Sequence, residues 1–123
     1  MKTGLRAFDP KDEYWFEEGC WIAELLNDPD DPGVSIARVR VPAGGVTRWH
    51  RLAGIAEHYV IQEGRGRVEI GELPPQDVMP GHVVSIPPGT RQRIANTGGG
   101  ELVFLAVCTP RFVRDAYEYP EGH

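Results

Sequence analysis

The chain has 123 residues, with 13 Lys and Arg against 18 Asp and Glu, for a formal net charge of −5. That balance argues against nucleic acid and anionic membrane surfaces as partners, because both want a basic face. No apolar run approaches the roughly 18 residues of a membrane span, and the length suits one domain with its own core.

The first residues, Met1-Lys2-Thr3-Gly4-Leu5-Arg6, lack the apolar segment of a secretory signal, so a cytoplasmic location is expected. Two cysteines, Cys20 and Cys108, show no metal-knuckle spacing and are expected to be reduced and buried. Glycine and proline, 15 and 11 in number, are spread between short apolar stretches, the mark of many strands joined by tight turns.

In chain order, residues 1–14 read as a polar arm, with Tyr14, Trp15 and Phe16 available to dock it. Residues 20–26 suit a strand or a short helix by pattern alone, and 27–33, rich in Asp and Pro, form a loop. Residues 34–41 alternate, with Ala37, Val39 and Val41 on one face and Arg38 and Arg40 on the other, as a half-buried strand does. After the turn at 42–45, a regular strand over 46–52 would place Val46, Arg48, His50 and Leu52 on one face, with Trp49 on the other. Residues 57–62 form the next strand, with Glu57, Tyr59 and Ile61 facing together and His58 facing away unless a bulge turns it. Residues 67–70 return, 71–79 read as a proline-bearing loop, and 83–86 as a short strand. Residues 92–95 place Gln92 and Ile94 on one face, with Arg91 and Arg93 outward, and Asn96 is expected to close the following turn through its side chain. The segment 102–108 is apolar enough to be buried on both faces, and a short helix is expected within 111–123. Strands at this spacing, without a long 3.6-residue period, mean an all-β sandwich or barrel.

Two spaced motifs sharpen this. Gly44, His50, Glu57 and Gly64 form one frame; Gly81, Pro87, Gly89, Gln92 and Asn96 form the second. Together they resemble the two motifs of the cupin family, whose frames read G-x5-H-x-H-x(3,4)-E-x6-G and G-x5-P-x-G-x2-H-x3-N. The resemblance implies a double-stranded β-helix (jelly-roll) barrel over 34–110, preceded by an arm and edge strand at 1–33 and followed by a tail at 111–123, one domain in all. It also implies a homodimer and a divalent metal (Fe, Mn, Ni or Zn) at four in-barrel ligand positions. Here those positions hold His50, Leu52, Glu57 and Gln92. Leu52 cannot ligate, and the Gln92 carbonyl is a weak donor for a transition metal.

Three readings of His50, Glu57 and Gln92 stay open on this basis: metal ligands completed by water or substrate; a metal-free pair in which Glu57 orients His50 as acid or base; or a polar remnant of a former metal pocket. Tyr59 would reach the same cavity, either as a catalytic or ligand-binding hydroxyl or simply as core filling, the commoner use of tyrosine. Arg48, on the face of His50, would anchor a carboxylate or lie in a rim salt bridge. The function expected is therefore a pocket for a small, acidic organic molecule, in a metal-dependent enzyme of oxygenase, isomerase or lyase type or in a non-catalytic binding protein.

Overall fold

The computed structural model describes residues 1–120. Eleven strands carry the fold: β1 (Tyr14–Phe16), β2 (Cys20–Leu26), β3 (Ser35–Val41), β4 (Arg51–Leu52), β5 (Ala56–Glu63), β6 (Gly66–Ile70), β7 (Gln76–Val78), β8 (Val83–Ile86), β9 (Gln92–Asn96), β10 (Leu102–Thr109) and β11 (Tyr117–Glu118). The larger sheet runs β1-β2-β3-β10-β5-β8, a second runs β7-β6-β9, and β4 pairs with β11. The pairings are antiparallel throughout. The all-β jelly-roll expected from the sequence is the fold observed.

Alternation explains the layers. Val39 and Val41 of β3, Tyr59 and Ile61 of β5, and Phe104 and Ala106 of β10 point inward from the large sheet. They meet Val68, Ile70, Val78 and Ile94 from the small one. Burying each larger side chain contributes roughly 1.5–3 kcal/mol, so this sandwich is the main stabilising layer. A second cluster, Leu52, Ile55, Cys108 and Ala116 with Phe112 and Tyr117 against it, closes one end of the barrel. On the outer face of β3, Arg38 and Arg40 share the Glu13 carboxylate at 3.1 and 2.7 Å, which ties the arm to the sheet.

Gly64 sits at the β5–β6 turn with φ of 84°, and a Cβ there would lie 2.3 Å from the carbonyl oxygen of Glu101. Both the backbone angle and the close approach demand glycine.

Four expectations need correction. Residues 71–79 are not loop throughout, since β7 pairs with β6 inside that segment. Residues 102–108 are not buried on both faces, because Leu105 and Val107 are only partly covered on the outer side of the sheet. The expected tail helix is a three-residue 3-10 turn, Arg114–Ala116, followed by β11; residues 121–123 of that prediction lie outside the described residues. The stretch 46–52 is not a regular strand. Only Arg51–Leu52 pairs as one, with isolated bridges at Val46 and His50. The cause is Thr47, whose hydroxyl accepts the Ile94 N–H at 2.9 Å while its own N–H bonds the Ile94 carbonyl. Thr47 is thereby turned inward, and the next inward residue is His50, three positions on. Between them Arg48 is exposed and Trp49 half-buried.

Candidate functional site

A cavity of about 60 Å³ opens between the two apolar clusters, lined by residues of β1, β2, β3, β5 and β10 and by the β4–β11 end. His50, Glu57 and Tyr59 line it, while Gln92 bonds Tyr59 from below. His50 is placed by backbone pairing, exchanging both N–H···O bonds with Gln92 at 3.1 and 2.8 Å. Glu57 and Tyr59 come inward because β5 is regular here, and the same regularity turns His58 to the other face, opposite Ser85 and Val107.

Arg48 does not enter the cavity. Its guanidinium lies 3.9 Å over the ring of Tyr119 on the surface, so the expected common face with His50 is corrected by the irregular backbone at Thr47. Trp49 faces outward, with the guanidinium groups of Arg91 and Arg93 at 4.6 and 4.5 Å from its ring.

The residue missed in the sequence is Glu18. It sits in the three-residue turn between β1 and β2, closed by the Gly19 N–H to the Phe16 carbonyl at 2.9 Å, with Gly19 at φ of 108°. The Arg48 N–H bonds the Glu18 carbonyl at 2.8 Å and seats this turn against the barrel end. Its buried carboxylate (7% exposed) then lies 3.2 Å from His50 Nε2. A glycine turn between an aromatic run and an apolar run was the available signal. Which of Glu17 and Glu18 turns inward is not readable from it.

These groups form a connected chain. His50 Nδ1 donates to the Arg48 carbonyl at 2.8 Å, which leaves Nε2 facing Glu18 Oε1 with a proton between them. The Tyr117 hydroxyl donates to the same Oε1 at 2.9 Å, and its ring stacks on the His50 imidazole at 5.1 Å and 6°. The Cys20 thiol donates to Glu18 Oε2 at 3.4 Å. Burial pushes the Tyr117 hydroxyl and both cysteine thiols well up, with the neighbouring carboxylates adding to it, so they act as donors.

Glu57 is the exception. It is 8% exposed, and among the described residues its Oε1 is one of two buried side-chain polar atoms without a hydrogen-bond partner. Oε2 accepts only a long contact from Cys108 Sγ, 3.8 Å. Burial pushes the carboxyl up to about 7; the His50 charge pulls it down, the Glu18 charge pushes it up, and the Gln92 amide, near but without a hydrogen bond to Oε1, and the Cys108 thiol pull it down. A carboxyl held near neutrality on the wall of an apolar cavity can take up or release a proton at physiological pH.

As a metal centre the donors fit poorly. His50 Nε2 is engaged by Glu18, the Gln92 carbonyl accepts the Tyr59 hydroxyl, and Leu52 lies in the second apolar cluster. Among the described residues no three His, Cys, Asp or Glu side chains are arranged to hold a metal ion, whereas catalytic transition-metal sites commonly use three.

Comparison with known proteins agrees with the architecture. The family model described as "Cupin domain" matches residues 37–108. An uncharacterized protein of Methanocaldococcus jannaschii is 32% identical over 123 residues, covering 98% of each chain. Among solved structures, KdgF from Halomonas sp. superposes with a TM-score of 0.77 at 17% identity, covering 89% of this chain and 96% of that one. A predicted oxalate decarboxylase from Thermotoga maritima superposes at 0.68 with 28% identity, covering 74% and 80%.

Proposed function

The chain belongs to the cupin family, and on that premise we propose that its barrel interior binds a small organic molecule and moves a proton to or from it without a divalent metal. The observation that carries this reading is Glu57 Oε1, buried, unpartnered and on the cavity wall. An unmade hydrogen bond at a buried carboxyl costs about 1–3 kcal/mol, and a ligand donor at that atom would recover it. Glu57 is the proton-exchanging group in this reading. His50 is held by the Arg48 carbonyl and Glu18, forms a fixed part of the wall, and its charge favours the ionised form of Glu57. Tyr59 and Gln92 bond each other and brace the wall beside it.

The metal reading is set aside on the donor set: both imidazole nitrogens are engaged, and among the described residues no three His, Cys, Asp or Glu side chains converge as a metal site. The acidic ligand expected from Arg48 loses its anchor, since that side chain is on the surface.

The test combines two measurements. Protein soaked with iron, nickel and zinc and then desalted is expected to retain only substoichiometric metal, and a full equivalent lost on His50→Ala would overturn the metal-free reading. Small polar organic compounds are then screened by ligand-observed NMR in D₂O. Hits are expected to lose binding in His50→Ala. At least one is expected to exchange a carbon-bound hydrogen for deuterium with the native protein and not with Glu57→Gln. Exchange equally fast in both proteins would remove Glu57 from its role.

A further inference from the structure

The cavity walls narrow the ligand class, an inference that rests on the cavity being the binding site. Its aromatic lining is Tyr14, Phe16, Tyr59, Phe104, Phe112 and Tyr117. Its acidic groups are Glu18, Glu24 and Glu57, and its one basic group is His50. Among the described residues no Lys or Arg lines it, although the chain has 13 of them. Of the arginines adjoining the lining in sequence, Arg38 and Arg40 pair with Glu13, Arg48 lies over the Tyr119 ring and Arg51 pairs with Glu118, while Arg111 bonds Asn27 and its charge acts on the exposed Glu24.

The acceptor atoms are not equivalent. Glu18 Oε1 receives Tyr117 and faces His50, and Oε2 receives Cys20. Glu57 Oε1 receives nothing. An anionic ligand would meet the Glu18 and Glu57 carboxylates with no Lys or Arg in the lining beside them, and would leave Glu57 Oε1 unpaired. A neutral alcohol would pair that oxygen but gain no charge attraction. An organic cation gains both a charge-assisted hydrogen bond to Glu57 and the faces of the aromatic walls.

We propose that the ligand is a small organic cation of the alkylammonium class, its N–H donors on Glu57 Oε1 and its apolar part against the aromatic walls. The 60 Å³ cavity takes a head group of a few heavy atoms. Any larger part of the ligand leaves past Tyr14 and Glu24, the exposed members of the lining.

Three probes with one carbon skeleton test this: n-propylammonium, propan-1-ol and propionate, titrated by NMR against the His50, Glu57 and Tyr117 resonances. The ammonium is expected to bind at least about tenfold tighter than the alcohol, and the propionate weaker than either. Glu57→Gln is expected to abolish the ammonium preference, while Arg48→Met leaves the three affinities unchanged. Propionate binding as tightly as propylammonium overturns the proposal, as does an ammonium preference that survives Glu57→Gln. If the alcohol or the acid binds in the cavity and the ammonium does not, the ligand class is wrong and the pocket reading stands. If none of the three moves those resonances, both fall. Should Glu57→Gln not fold, the ranking of the three probes on the native protein decides.

Discussion

Glu57→Gln is expected to stabilise the protein, and only above a defined pH. Burial raises the Glu57 carboxyl from 4.5 to about 7 in the folded chain. Below pH 4.5 the group is protonated in both folded and unfolded states and contributes nothing. Between 4.5 and 7 the unfolded chain releases the proton while the folded chain keeps it, so stability falls as pH rises. The gap from 4.5 to about 7 amounts to about 3 kcal/mol, at about 1.4 kcal/mol per pH unit. That is a large share of the 5–15 kcal/mol typical of a domain. Glutamine keeps the shape and removes the charge, so the variant should match the native protein near pH 4.5 and exceed it by about 3 kcal/mol at pH 8. Urea unfolding of both proteins at half-unit steps from pH 4.5 to 8 measures the difference. Parallel pH profiles, or a variant less stable at pH 8, would refute the claim that burial of Glu57 outweighs the pull of its neighbours.

Other expectations follow from the same packing. Leu52→Ala, which hollows the cluster of Ile55, Cys108 and Ala116, should cost about 2–5 kcal/mol in chemical denaturation. Cys20 and Cys108, buried with their thiols pushed up, should resist iodoacetamide at pH 8 in the native protein and react fully in urea. Glu18→Gln should lower stability by about 1–3 kcal/mol and change the ¹⁵N shift of His50 Nε2 more than that of Nδ1, because only Nε2 faces Glu18.

The sequence alone determined the architecture. Turn residues recur between short β-prone runs, and the side chains of regular strands such as β3 and β5 must alternate, so Val39, Val41, Glu57, Tyr59 and Ile61 were assigned to the inside by period two. The resemblance of two spaced motifs to those of cupins pointed to His50, Glu57 and Gln92. Tertiary structure decided the rest. Thr47 satisfies the Ile94 N–H with its hydroxyl, breaks the alternation, and sends Arg48 to the surface. Glu18 and Tyr117 meet at His50 from turns and strands 99 residues apart, each too short to show a period of its own. Period is a local property of the backbone and can be read along a chain, whereas an irregular stretch takes its direction from the partners it finds in space.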